Sequence, residues 1–135
     1  MHTDQLQLFF DSVDEGYYAL DSDWRFVFAN RSALTLWGKR FDELHNREFL
    51  KCFPQAAGSA PYEAHERVMT TRIGERFETL SPVLNRWIEV SIRPLDDGGV
   101  LVSFRDIATR KRAELEAQIS AERLALAVSI GELAT

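Results

Sequence analysis

The stretch that most constrains this chain is RWIEVSIRPLDDGGVLVSFRDIATRKRAE, from Arg86 to Glu114. Trp87 to Ile92 alternates: Ile88, Val90 and Ile92 fall on one face of an extended segment, and Trp87, Glu89, Ser91 and then Arg93 on the other. Val100 to Ile107 is again rich in β-branched and aromatic residues. Between them Asp96-Asp97-Gly98-Gly99 supplies the side chains and the positive φ angles of a tight hairpin. Two antiparallel strands are therefore predicted. After Ile107 the period of two gives way to a helical composition of Ala, Glu and Arg, with Asp106 or Thr109 as the N-cap. A helix leaving the last strand directly can carry a change in the sheet to whatever follows.

The rest of the chain completes an α+β pattern. Leu6, Phe9, Phe10 and Val13 recur at i, i+3, i+4 and i+7, which predicts an amphipathic helix over residues 1–13, capped by Thr3 or Asp4. Its apolar face suits dimerisation or its own sheet equally. Gly16–Leu20 and Trp24–Ala29 read as strands around Asp21-Ser22-Asp23. Asn30 is placed to cap a helix carrying Ala33, Leu36 and Trp37, which Gly38 closes. Short helical turns follow at Phe41–Leu44 and Glu48–Phe53. A longer helix is predicted from Pro61 to about Ile73, with a stripe of Tyr62, His65, Val68, Met69 and Ile73 and a stop at Gly74. A third strand at Arg76–Ser81 precedes the hairpin. The order gives a five-stranded antiparallel sheet with helices on one face. From Thr109 a helix carries Ala108, Leu115, Ile119, Leu126 and Leu133 at heptad spacing, interrupted by Arg112, Glu122 and Ser129, which predicts an imperfect two-stranded coiled coil. It reads as a linker to a further domain.

Several of these segments resemble a known family. FRDIATRKRAE is similar to the end of a PAS domain, whose last strand finishes in Asp-Ile-Thr before a basic signalling helix; Asp106 and Ile107 match, and Ala108 stands in the Thr position. ALDSDWRFVFAN resembles the first PAS hairpin, with Trp24 where many members have Gly and Asn30 matching the residue that begins the next helix. GKRFDELHNREFLKCFP and GERFETLSPVLNRWIEV also fall in the family order, so the likeness runs from about Ser12 to Glu114.

The resemblance implies a PAS body over residues 14–108 and a signalling helix over residues 109–135. It further implies a sensory module of a bacterial multidomain signalling protein, most simply a sensor histidine kinase and otherwise a cyclic-dinucleotide enzyme. Such a module is cytoplasmic and homodimeric, and it relays to a downstream effector domain through the junction Asp106, Ile107 and Thr109. The family places a small-molecule pocket between the sheet and the long helix, where Phe28, Leu36, Phe49, Phe53, Val68, Met69, Trp87 and Phe104 become lining candidates. In haem-binding members the axial histidine comes from the same helix, which marks His65 as the one haem, and hence metal, candidate. Light-sensing members carry Asn-Cys-Arg-Phe-Leu; this chain has Asn46-Arg47-Glu48-Phe49-Leu50, with Cys52 displaced, which argues against flavin photochemistry. Whether any cofactor is held stays open.

The remaining classes are narrowed by composition. A net charge of −5 disfavours nucleic acid, whose binding scales with phosphates neutralised. No stretch approaches the roughly 20 apolar residues of a membrane span. The single cysteine excludes an internal disulfide and fits a reducing compartment. There is no phosphate loop, no metal-spaced Cys or His pair and no nucleophile–base spacing, so this piece is not expected to be an enzyme. Arg93 and Arg105 are placed to pair with Glu89 or Asp106. Two alternatives remain: a ligand-free dimerisation scaffold, and a small cone-shaped α+β enzyme for which only His65 and Tyr62 offer polar groups.

Overall fold

Five strands form one antiparallel sheet in the order β2-β1-β5-β4-β3, where β1 is Gly16–Leu20, β2 Phe26–Ala29, β3 Glu75–Leu80, β4 Trp87–Pro94 and β5 Val100–Asp106. The computed structural model describes Gln5, residues 8–10 and residues 14–134. Leu6 and Val13, the ends of the expected N-terminal stripe, and its caps Thr3 and Asp4 lie outside the described residues. Phe9 and Phe10 are helical, and the Phe10 ring packs on Tyr17 and Phe28, on the sheet's outer side.

The hairpin forms as its alternation dictates. Ile88, Val90 and Ile92 are buried, with Val90 and Ile92 opposite Phe104 and Val102 of the paired strand. Gly98 takes φ +96, and a Cβ on Gly99 would stand 2.0 Å from the Leu20 carbonyl oxygen, so the turn and the approach of β5 to β1 both demand glycine.

Four helices, α1 (Arg31–Trp37), α2 (Phe41–Leu44), α3 (Phe49–Cys52) and α4 (Ala60–Thr71), cross between β2 and β3 with a 3₁₀ turn at Pro54–Ala56. They cover the inner sheet face, where Phe26, Phe53, Leu20, Leu44, Val68 and Val102 are fully buried. Asn30 caps α1 and does more: entirely buried, its Oδ1 accepts from Tyr17 and Ala33 amides, and its Nδ2 donates to the Phe10 and Glu15 carbonyls. One amide thus joins the N-terminal segment, β1 and α1. Ser59 caps α4, with Pro61 in the first turn.

Two boundaries differ most from expectation. The second strand starts at Phe26, because Trp24 sits in the turn at φ +65. The long helix ends in the left-handed conformation at Arg72, two residues before Gly74, since the Arg72 guanidinium bonds the Leu95 carbonyl and holds that cap. Ile73 therefore falls beyond the helix and is exposed.

The last helix, α5 (Ala108–Ala134), leaves β5 across one residue and stands exposed over nearly its whole length. No described helix is long and apolar enough to cross a membrane.

Candidate functional site

Burial and hydrogen bonding converge on one place, the cavity between the inner sheet face and α4. Tyr18 of β1 and His65 of α4 are both buried there, and the Tyr18 hydroxyl lies 2.7 Å from His65 Nε2. On the other side of the imidazole, Nδ1 lies 2.6 Å from the Pro61 carbonyl oxygen. A carbonyl only accepts, so Nδ1 carries the proton and Nε2 accepts from the Tyr18 hydroxyl. Burial disfavours the imidazolium and holds the His65 pKa down to about 4, while the bond to Pro61 opposes this; burial pushes the Tyr18 phenol far up. Both groups are neutral across the physiological range. The two rings stack at an interplanar angle of 15°.

Phe49, Phe53, Trp37 and Phe104 continue the lining, and the β3–β4 turn closes the mouth through Ser81, Pro82, Val83 and Leu84. Ser81 shapes that turn, its Oγ accepting from the Val83 and Leu84 amides. The cavity measures about 50 Å³, room for a few waters, well below the roughly 300–1,000 Å³ of sites for drug-sized ligands. Haem does not fit these residues: the wall is too close, and the His65 nitrogen that would meet iron is already bonded to Tyr18.

Of the eight lining candidates and His65, the fold brings Phe49, Phe53, Phe104 and His65 to the cavity. Val68 is buried beside it, and Met69 is half-buried against the core. Three lie elsewhere. Trp87 points outward, opposite in phase to Ile88 and Val90, and is 41% exposed. Phe28 also faces outward: a bulge between Ala19 and Leu20 inserts Val27, so Phe26 and Phe28 no longer share a face. Leu36 lines a surface groove with Tyr17 and Arg105, because Ala33 and Trp37 take the core side of α1. Tyr18 and Ser81 went unnoticed in the sequence. The alternation of Gly16-Tyr17-Tyr18 puts one of the two tyrosines inside, which is the only sign of Tyr18 there. Cys52 lies outside this cavity, half-buried beside Lys39 and Arg47, and burial raises its thiol pKa.

A second constellation occupies the strand-to-helix junction. Ile107 is buried, and its amide donates to the Trp87 carbonyl at 2.9 Å. Asp106 Oδ1 accepts the Ala108 amide at 2.8 Å and Oδ2 accepts Arg86 at 3.0 Å; these bonds, the first foremost, lower its carboxyl pKa. Asp106 therefore caps α5 from one residue before the usual position. Thr109 lies in the first turn and lines the groove beside the helix base. Glu78 of β3 receives both Lys111, at 2.8 Å, and Arg110, which holds its carboxyl down to about 2. Lys111 also lies 5.0 Å over the Trp87 ring. The expected pairing of strand arginines takes the form of Arg105 and Arg76 on Glu89, with Arg86 rather than Arg93 or Arg105 on Asp106.

Comparison with known proteins follows the same outline. A family model described as PAS fold matches residues 10–112. The structure is similar to the PAS domain of BvgS from Bordetella pertussis, at TM-score 0.64 and 18% identity, covering 92% of this chain and 98% of that one. It is also similar to a domain of a sensory box sensor histidine kinase/response regulator from Geobacter sulfurreducens, at TM-score 0.58 and 17% identity over 78% of this chain and 94% of that one. The photoactive yellow protein domain from the sensor histidine kinase Ppr of Rhodospirillum centenum gives TM-score 0.60 and 16% identity over 74% and 92%. No curated protein matches.

Proposed function

Because this chain belongs to the PAS family through residues 10–112, we propose that it is the sensory module of a bacterial multidomain signalling protein, a sensor histidine kinase in the simplest case. PAS domains are themselves non-catalytic, and we assign the enzymatic step to an effector domain beyond α5. The reading takes the module as cytoplasmic and homodimeric.

One observation carries the relay. The first turn of α5 is tied to β3 through Glu78, the joint residue Ile107 to β4 through the Trp87 carbonyl, and the capping Asp106 to Arg86 just before β4, while β4 presents Ile88 and Val90 to the cavity on its other face. A change in the cavity that shifts β4 therefore acts on the base of the helix through bonds already made. Such a switch needs different affinities for two states of the domain. The test is Asp106→Ala in the full-length protein: the expected result is a folded domain whose output no longer follows input. Unchanged signalling overturns the relay.

The cavity of about 50 Å³ with both polar groups satisfied also favours a ligand-free relay that responds to dimer rearrangement alone. Native mass spectrometry of the purified protein, with an absorption spectrum of the same sample, separates the two. Bound mass supports ligand sensing; an empty dimer supports the ligand-free relay.

A further inference from the structure

Four cations that take no part in any ion pair among the described residues, Arg25, Lys39, Arg47 and Lys51, line one surface groove. The groove measures about 400 Å³, within the roughly 300–1,000 Å³ of small-molecule sites, whereas the inner cavity holds about 50 Å³. The chain as a whole carries a net charge of −5, so this clustering runs against its overall charge. Backbone bonds hold the groove in shape by strapping the segment before α3 along the edge of β2. The Asn46 amide donates to the Phe26 carbonyl at 2.8 Å, the Phe26 amide to the Arg47 carbonyl at 3.0 Å, and the Phe49 amide to the Trp24 carbonyl at 2.8 Å. Arg25 Nη1 donates to the Asn46 carbonyl at 2.8 Å, which ties the guanidinium to this strap and leaves its other N–H groups for a ligand. Lys39, from the turn after α1, lies 5.7 Å over the Phe53 ring. The half-buried Cys52 thiol shares the groove; burial raises its pKa, and Lys39 and Arg47 both oppose that rise, so cations from two segments bear on one sulfur. Of the two carboxylates in the lining, Glu43 is engaged by the Arg40 amide at 3.2 Å and lies 3.8 Å from the Arg40 guanidinium. Glu48 is left as the one uncommitted acid.

We infer that this groove binds the phosphate chain of a small molecule, either an inorganic polyphosphate or a nucleoside polyphosphate. Four cations against one uncommitted carboxylate call for several negative charges in a small volume, which a phosphate chain supplies. Guanidinium forks and lysine ammoniums both suit phosphate oxygens. The lining holds no aromatic ring, so a base has nothing to stack on and the chain itself is what is read. The site lies outside the inner cavity and does not depend on the sensory reading; it gives the domain a place for a ligand that the inner cavity is too small to admit.

The test is calorimetric titration of the 135-residue chain with sodium triphosphate, without divalent cations, at low salt of about 50 mM. One site per chain is expected, weakening as salt rises, with ATP and GTP within about threefold of triphosphate because their bases gain no stacking. Arg47→Gln and Lys51→Gln, both at exposed positions, are each expected to weaken binding at least about tenfold. Glu48→Gln is expected to tighten it, a gain that no misfolded variant gives, and Glu48 makes no side-chain cap bond to α3 that the change would remove. Arg112→Gln and Arg123→Gln, on α5, are expected to change nothing. Triphosphate is also expected to slow alkylation of Cys52 by iodoacetamide. Absence of binding at millimolar triphosphate overturns the site, as does binding that leaves the Cys52 rate unchanged or falls equally in Arg112→Gln. Tighter binding of citrate overturns the phosphate class, and ATP binding about tenfold tighter than triphosphate overturns recognition by the chain alone. The relay stands or falls separately on Asp106→Ala.

Discussion

His65 shows how one side chain can be both essential to packing and silent in charge. Its folded pKa of about 4 lies below the 6.5 of an exposed imidazole. Between those values the unfolded chain takes up a proton that the folded one refuses, so folding stability is complete above about pH 6.5 and falls as pH drops toward 4. A separation of this size corresponds to roughly 3 kcal/mol. Urea unfolding at pH 7, 5.5 and 4.5 is expected to trace that loss, and His65→Phe to flatten it; an unchanged slope in His65→Phe places the titration elsewhere. Glu78, held down to about 2 by Lys111 and Arg110, adds its own loss as pH falls from the ordinary Glu value of 4.5 toward 2, so the two effects follow one another on the pH axis. Trp24 is the other telling residue. It holds φ +65, where a side chain costs about 1 kcal/mol, yet its ring lies 4.7 Å from Tyr62 in a stack and touches Phe49 and His65. Trp24→Gly frees the backbone and loses that packing; packing is the larger quantity, and a net destabilisation of roughly 2 kcal/mol is expected in chemical denaturation. A stabilised variant reverses that ranking.

Single residues join whole elements here, and Asn30 holds three segments together. Asn30→Ala leaves amides of β1 and α1 without their acceptor in a dry interior, with an expected cost of about 3 kcal/mol or more. Asn30→Asp is the sharper variant. Its oxygen still accepts from Tyr17 and Ala33, but it cannot donate to Phe10 and Glu15, so hydrogen exchange at residues 8–10 is expected to quicken while α1 stays protected. Equal loosening of α1 refutes this division. At this scale the sequence was most readable where period and punctuation agree: the β4–β5 hairpin, the Asn30 cap, the Gly38 close and the start of α5. It was least readable where the answer lay outside the segment. The alternation of β4 has two faces, and only the helices packed on Ile88 and Val90 decide which is inside. The bulge at Ala19/Leu20 turned Phe28 outward, and a guanidinium reaching Leu95 ended α4 before its glycine. The Tyr18–His65 contact spans 47 residues and leaves no local pattern.

Across the whole molecule, two faces of one sheet carry different business: apolar packing and a neutral polar pair inside, ion pairs and the helix base outside. An interior without a net charge has little to offer a charged ligand, and its narrow cavity little to offer a large one. Hemin added to the wild type and to His65→Ala is therefore expected to give superimposable absorption spectra; a Soret shift in the wild type that His65→Ala abolishes would show that the cavity opens and Tyr18 yields. The length of α5 has a mechanical consequence. At 27 residues it is a rod of about 40 Å pivoting at Ile107, so a tilt of about 10° at its root sweeps the far end through about 7 Å. Displacements of the sheet too small to part a single hydrogen bond at the pivot become, at the tip, as wide as a neighbouring side chain.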